Sequence, residues 1–539
     1  MHIRTKAGRT MRVALAVGLA GLASTALAVS IPASPNATAY QTAGQNWSMW
    51  QGDPSGARFN GAETKINPQT VGNLKLKWAY SYAAIPYART GSQPAIVDGV
   101  LYVGAPNSKF LALDAKTGAT RWTFDLTTVV AGDTNSVRDG AAVVGNNVYF
   151  GDSTGRVYAV DRQSGRLVWA RQVDTHVSAR MTGSPLVHDG HVFIGVSTDE
   201  GGNARDPNFA CCTHRGQVVS LNARTGAVDW RYYTVPEAKA VGTWPSGATK
   251  YSPSGGSVWS SPVVDADTGT IFVGTGNSAT GSEGDIDTML ALDTDSGKPR
   301  WKHTLTSPDL YTAACDDVAN EYCPGAGEYA LDADIGASAN VIDVGGRKLV
   351  AIGQKGGMFY ALDARTGETV WQTELAKLDP SLKDPGSVGV EWGSVYDGKR
   401  IYAATQRSNP GRLFALDPAT GKILWQTNHP ADGCTTGGAA AEPELCELAF
   451  TPAVSGTPGL VYEGSADGKM RIFSAGDGKI LWTYDAVRQY DGVNGQPGQG
   501  RGIGGNGGAV IADGMMYVQA AYFPFYASDK GGVLLAFGL

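Results

Sequence analysis

The sequence predicts an all-β fold, an eight-bladed β-propeller, and three observations predict it. One stretch recurs through the chain: LALDAKTGATRW, from Leu111 to Trp122, returns as VYAVDRQSGRLVW ending at Trp169, VVSLNARTGAVDW at Trp230, MLALDTDSGKPRW at Trp301, FYALDARTGETVW at Trp371, LFALDPATGKILW at Trp425 and MRIFSAGDGKILW at Trp482. The spacing between successive tryptophans runs from the forties to about seventy residues, which is blade-sized. An eighth copy is divided between the ends of the chain. Asn73 to Trp78, NLKLKW, reads as a last strand without its partner, and the terminal GGVLLAFGL reads as a strand without its successor. Pairing the two closes the ring and removes its open edges.

Each copy reads as one hairpin. An alternating apolar strand ends at Asp, Asn or Ser, and glycine follows four residues later, where a turn with positive φ costs it little. A second strand then carries Trp a further four residues on.

Composition agrees with one large repeat domain. The 539 residues include 72 Gly and only 17% charged side chains, so the chain is turn-rich with ample apolar material for a core. The net charge of −6 and the absence of a Lys/Arg run beyond the N-terminus argue against nucleic acid as a partner.

The first residues read as an export signal. Arg4, Lys6, Arg9 and Arg12 precede an apolar run from Val13 to Ala28 that ends in Ala26-Leu27-Ala28. The competing reading, an uncleaved anchor, asks for about twenty apolar residues, and this run is short and holds Gly18 and Gly21. No Cys follows it, so a lipid anchor is not indicated. The expected organisation is a signal peptide over 1–28, a small polar linker over 29–46 and the propeller over 47–539, exported to a periplasmic or extracellular space, with no membrane span after signal removal.

Six cysteines fit that destination: Cys211 beside Cys212, Cys315 with Cys323, and Cys434 with Cys446, three local pairs. The two spaced pairs read as loop staples. For the adjacent pair two readings stand side by side, a device that shapes an active-site loop or one that stiffens an insertion. No CxxCH occurs, so the chain carries no covalent c-type haem motif.

A propeller alone says nothing about chemistry. Four stretches depart from the repeat: MTGSPLVHDGHVFIGVSTDE from Met181 to Glu200, GGSVWSSPVVDADTGTIFVGTGN from Gly255 to Asn277, LDADIGASANVID from Leu331 to Asp343, and GQKGGMFYALD from Gly353 to Asp363. With these motifs the chain resembles the pyrroloquinoline quinone (PQQ)-dependent alcohol dehydrogenases over essentially its whole mature length. Within them it is most similar to the polyvinyl alcohol dehydrogenases, through FACCTHRGQVVSLNARTG, the Cys315/Cys323 insertion before LDADIG, and GKILWTYDAVRQYDGVNGQPGQGRGIGGNGG.

The resemblance implies an axial site. It puts Glu200 and Asn277 on a divalent cation, calcium first with a lanthanide as the alternative, and a hard cation of that kind takes several oxygen donors, some of which the quinone supplies. It makes Trp259, eighteen residues before Asn277, the flat floor under the cofactor. Thr182, Ser197 and Arg138 would face the quinone carboxylates, Arg138 through a guanidinium able to bind bidentately. Cys211 and Cys212, which follow Glu200 here rather than preceding the arginine as in methanol dehydrogenases, are carried over as further candidates against the cofactor. Asp332 takes the catalytic base, eleven residues before Asp343, with Leu331 in place of the family tryptophan, and Lys355 takes the basic residue at the quinone oxygens. Asp334 is an alternative base or an added cation ligand. Asp309 reads as structural.

The function so implied is hydride transfer from an alcohol to PQQ, the alcohol a secondary one such as polyvinyl alcohol, with electrons leaving to a separate acceptor such as a cytochrome c. The rival class is a non-catalytic propeller scaffold of the outer-membrane assembly type, which has no use for Glu200, Asn277, Asp332 and Lys355 at family spacing.

Overall fold

Each repeated stretch folds as the outer half of a four-stranded antiparallel sheet. In a computed structural model, residues 44–82, 91–131, 135–203, 206, 208–307, 309, 311, 332–377, 387–406, 410–441, 447–521 and 531–539 are described. The expected signal peptide and most of the linker therefore lie outside the described residues, as do the Cys315–Cys323 and Cys434–Cys446 pairings.

Blade 1 shows the plan, with strands Ala95–Val97, Val100–Ala105, Lys109–Asp114 and Thr120–Asp125 paired in chain order. The first strands of the other blades are Ala142–Val144, Leu186–His188, Val263–Asp265, Asn340–Val344, Val395–Tyr396, Ser455–Thr457 and Val510–Ala512. They lie against one another around the axis. Blade 8 is completed as the sequence predicts: Lys75–Tyr82 pairs antiparallel with Gly532–Gly538, from Lys75 opposite Gly538 to Tyr82 opposite Gly532. The ring is closed by strands from opposite ends of the chain.

The expected alternation gives way to a continuous buried run in the middle strands. In Lys109–Asp114 the four residues Phe110, Leu111, Ala112 and Leu113 are all buried. Phe110 and Ala112 pack with Val148, Phe150 and Tyr158 of blade 2, whereas Leu111 and Leu113 pack with Tyr517 and Leu534 of blade 8. Each sheet is covered by a neighbour on both faces, so its middle strands read as apolar runs.

The repeated tryptophans fasten blade to blade. The indole N–H of Trp122 donates to the Arg162 carbonyl at 3.0 Å, Trp169 to Ala223 at 2.9 Å, Trp230 to Thr294 at 2.8 Å, Trp301 to Ala364 at 2.9 Å, Trp371 to Pro418 at 2.9 Å and Trp425 to Ala475 at 3.2 Å. Trp482 donates to Leu74, just before the closing strand, at 3.3 Å, and Trp78 donates to Ala115 of blade 1 at 3.2 Å. Each acceptor sits in the outer hairpin of the following blade or at its edge. The hairpin glycine makes room for the ring: a Cβ on Gly165, Gly226 or Gly297 would stand 2.7, 2.6 or 2.4 Å from Trp122, Trp169 or Trp230. Glycine is required there twice over, for its positive φ, +67° at Gly226, and for the indole laid across it.

A segment the repeat does not announce fills the axis. Running from Trp47 to Asn60, it hydrogen-bonds the second residue of the inner strand in seven blades. Trp47 exchanges bonds with Ile96, and Val143, Val264, Val341, Tyr396 and Gly456 donate to Ser48, Pro54, Ser55, Ala57 and Arg58. Asn60 Nδ2 reaches Ile511 at 2.9 Å. Arg58 is 1% exposed and donates to the carbonyls of Val454 and Trp50, to Gln93 Oε1 and to Ser455 Oγ, with its guanidinium 4.2 Å from the Trp50 ring. Burial pulls the Arg58 pKa down to about 9, partly offset by Glu463. Among the described residues no helix is long and apolar enough to cross a membrane.

The glycine and the indole are expected to be coupled energetically. Trp169→Ala should cost about 3–5 kcal/mol and Gly226→Ala about 1–3 kcal/mol in urea denaturation. In the Trp169→Ala background the cost of Gly226→Ala should shrink to the positive-φ component, about 1 kcal/mol.

Candidate active site

The site is built by register. Arg138, Thr182 and Trp259 each stand four residues before the first residue of the inner strand of their blade, at Ala142, Leu186 and Val263. The same count in blades 5, 6 and 8 reaches Gly336, Glu391 and Asn506. These positions form one ring around the axis. Three of its members were not singled out in the sequence, although counting back from each inner strand would have found them.

Trp259 supplies a floor. Its ring lies over Gly336, where a Cβ would fall 1.8 Å from the indole, and it meets Trp392 edge-on at 5.1 Å. Trp392, Trp50 and Ala453 pack with it, and the Arg138 guanidinium lies 5.6 Å from the Trp392 ring. Asn506 reaches across from blade 8, its Nδ2 donating to the carbonyls of Arg138 at 3.0 Å and Thr182 at 3.1 Å. Asn506 Oδ1 is buried with no hydrogen-bond partner among the described residues. Thr182 Oγ1 and Ser197 Oγ share a hydrogen bond of 2.7 Å.

Beside the floor lies a cluster of charge. Lys355 Nζ sits 2.5 Å from Asp332 Oδ2, 3.5 Å from Asp334 Oδ2 and 5.8 Å from the Trp259 ring centroid. Asp332 is fully buried, and so is Asp334 but for 7%. Asn277 is drawn in from blade 4: its N–H donates to Asp334 Oδ1 at 2.6 Å and its Nδ2 to the Tyr311 carbonyl at 3.1 Å. With the amide nitrogen tied off, Oδ1 is the end left for a ligand. Gly276 permits the approach, since a Cβ there would meet Asp334 Oδ1 at 2.2 Å. The structure thus brings together Trp259, Asn277, Asp332, Asp334 and Lys355.

Glu200 is held from another side. Its carboxylate accepts from the Thr213 N–H at 2.8 Å, the His214 N–H at 2.7 Å and Thr213 Oγ1 at 3.2 Å. The same loop connects onward to the Asn277 segment, because the Gly255 N–H donates to His214 O and the Gly256 N–H donates to Asn277 O. The Cys211–Cys212 disulfide immediately precedes Thr213 and packs with Trp244, Phe209, Ala248 and Ala279, in a cluster separate from that of Trp259.

Burial and like charge govern the titration. Burial alone would lower the Lys355 pKa, but Asp332, Asp334, Glu391 and Tyr311 outweigh it and hold the ammonium well above its ordinary value. Behind it, burial and then Asp309 and Asp334 push Asp287 up to about 11. Burial also raises Asp309, its partner. Among the described residues no amide or hydroxyl donor meets either Asp287 oxygen, and burial beside other carboxylates favours its protonated form. Two carboxylates, Asp332 and Asp334, share the single ammonium of Lys355, with Glu391 adding further negative charge nearby. That excess of buried negative charge, with the Asn277 oxygen beside it, is a donor set suited to a hard cation. No three His, Cys, Asp or Glu among the described residues converge to cage a metal unaided, so part of any coordination shell has to come from another ligand.

The fold and site together define an eight-bladed propeller that carries an indole floor with a Lys–Asp ion pair beside it. The chain belongs to the PQQ-dependent glucose/ethanol/alcohol dehydrogenase family, whose β-propeller domain profile matches residues 47–316. Residues 346–531 also match the profile of the outer membrane protein assembly factor BamB. The polyvinylalcohol dehydrogenase of a Pseudomonas species is 31% identical over 514 residues, 92% of this chain and 77% of the relative. That of a Sphingopyxis species is 31% identical over 506 residues, covering 91% and 74%. In fold the chain is similar to the quinohemoprotein alcohol dehydrogenase ADHIIG of Pseudomonas putida, with a TM-score of 0.67 at 20% sequence identity, covering 93% of this chain and 81% of that one.

The sign of the Asp287 shift has a measurable consequence. Because its pKa rises from 3.8 to about 11 on folding, Asp287 costs the folded state more as pH climbs from 3.8. Asp287→Asn removes that cost, so in EDTA the variant should melt above wild type at neutral pH. The gap should widen from pH 5 to pH 9.

Proposed function

We propose that this protein is an exported alcohol dehydrogenase that oxidises a secondary alcohol with PQQ and a calcium ion. The observation that carries the proposal is the Asp332–Lys355 pair, buried at the edge of the Trp259 floor, on the ring that also presents Arg138 and Thr182.

Trp259 would bear the quinone on its face, with Arg138, Thr182, Ser197 and Asn506 around its polar edge, while Glu200, Asn277 and Asp332 would hold the cation. When bound, the quinone supplies a two-electron hydride acceptor and the cation an electrophile beside it. Asp334 has one oxygen on the Asn277 amide and the other facing Lys355, which favours calcium over a lanthanide, an ion for which Asp334 would serve as a further ligand.

The chain's own residues then divide the work. Asp332 takes the hydroxyl proton of the alcohol at its carboxylate. Lys355, kept charged by its acidic neighbours, donates to the oxygen on which negative charge gathers and holds Asp332 in a single orientation. The tryptophan cluster keeps water from the lower face of the site. The electrons leave to a separate acceptor protein such as a cytochrome c, and the polyvinylalcohol dehydrogenases among the relatives make a polymeric secondary alcohol the first substrate to try. The match of residues 346–531 to BamB favours a scaffold as the second reading.

Dye-linked oxidation of polyvinyl alcohol, 2-butanol and ethanol, with the protein reconstituted in PQQ and calcium, tests the proposal. Turnover should require the quinone, favour the secondary alcohols and fall by about 10²–10⁴-fold in Asp332→Ala. Absence of quinone binding and of turnover would move the scaffold to the front.

A further inference from the structure

Asp309 sits beneath this site without belonging to it. It is 8% exposed, and its two oxygens go to two different pieces of chain: Oδ1 accepts the Tyr311 N–H at 2.7 Å and Oδ2 accepts the Ala333 N–H at 2.9 Å. Ala333 lies between Asp332 and Asp334, so one oxygen fixes the backbone that aims both carboxylates. Tyr311 passes the other contact on, because its carbonyl accepts from Asn277 Nδ2 and so decides which end of that amide faces outward. Asp287 neighbours Asp309, and burial with the carboxylates around it raises its pKa. Its own backbone ties it to blade 4, where the Asp287 N–H donates to Gly276 O, next to Asn277.

We propose that Asp309 is the positioning residue of the cation site, a single carboxylate that sets Asn277, Asp332 and Asp334 relative to one another. This rests on the quinone-and-cation reading above and goes beyond it. Nothing in the reaction asks Asp309 to touch substrate or cofactor. Its two amide contacts lock the ligand-bearing segments as second-layer partners lock metal ligands elsewhere, and losing such a partner costs about 10- to 100-fold in metal affinity.

The test is a titration of quinone binding, read by quenching of tryptophan fluorescence, over a calcium series in wild type, Asp309→Asn, Asp309→Ala and Asp287→Asn. Asparagine keeps one acceptor oxygen and alanine keeps none, so the calcium requirement should rise about 10-fold in the first and about 100-fold in the second. Asp287→Asn, which still offers Asp309 a donor, should stay within about 2-fold of wild type. A purely structural Asp309 would lower the melting temperature and leave the calcium requirement unchanged, and that result overturns the proposal. If neither Asp309 variant folds, amide exchange on the wild type decides: loading with calcium and quinone should slow exchange at Tyr311 and Ala333 together, and unchanged exchange at both would overturn it. A wild type that binds no quinone at any calcium concentration sinks the proposed function itself, whereas binding that Asp309→Ala leaves intact sinks only this inference.

Discussion

The structure depends on an indole laid across a glycine. Each outer strand ends its blade with a tryptophan, and in the seven contacts from Trp78 to Trp425 the following hairpin offers a carbonyl for the indole N–H and a glycine for the ring. Sheets covered on both faces by apolar side chains have strong cohesion but little directional information, because apolar burial is proportional to area and indifferent to register. The indole N–H supplies direction and the glycine supplies depth. Repeated from Trp78 around to Trp482, the contact gives every blade the same offset from its neighbour. An open repeat array needs polar caps at its ends. Here the last contact returns to the start.

That common offset is what makes a catalytic centre available. Residues four places before each inner strand arrive at one height around the axis, so Arg138, Thr182, Trp259, Glu391 and Asn506 become neighbours although they are spread over more than three hundred residues of chain. The blades provide positions and the loops provide chemistry. Blade 5 departs most from the repeat there, placing Asp332, Asp334 and Lys355 together where their fields are least screened, with more acid than base. A buried cluster with more acid than base is costly until further positive charge joins it.

Much of this was legible in the residues. The tryptophan period, the glycine four places ahead and the strand split between the termini specify blade number and closure, because each is a local pattern repeated without change. Trp259, Asn277, Asp332 and Lys355 were legible because their motifs carry fixed spacings, and the structure brings them into one cluster. What the sequence withheld depends on distant pairings. The glycine reads as a turn former and shows its second duty only when the neighbouring blade is in place. Asn506 reveals nothing until blade 8 meets blades 2 and 3, and Trp50 nothing until it packs with Trp392, Ala453 and Trp259. Asp309, which read as structural, became informative once its two oxygens could be followed to Tyr311 and Ala333. The Cys211–Cys212 pair shows the same limit: adjacency announced the bond, and only the fold brought the two amides that follow it onto Glu200.

The segment from Trp47 to Asn60 touches seven inner strands, the last of them at Ile511. Its partners are strung along nearly the whole length of the polypeptide, so it cannot be seated until almost every blade exists. The closing strand that follows it waits for Gly532–Gly538 in the same way. Contacts between such distant residues form slowly, because the chain gives up the entropy of very large loops before any of them repays it. The stretch that opens the folded domain is therefore the part that comes to rest last.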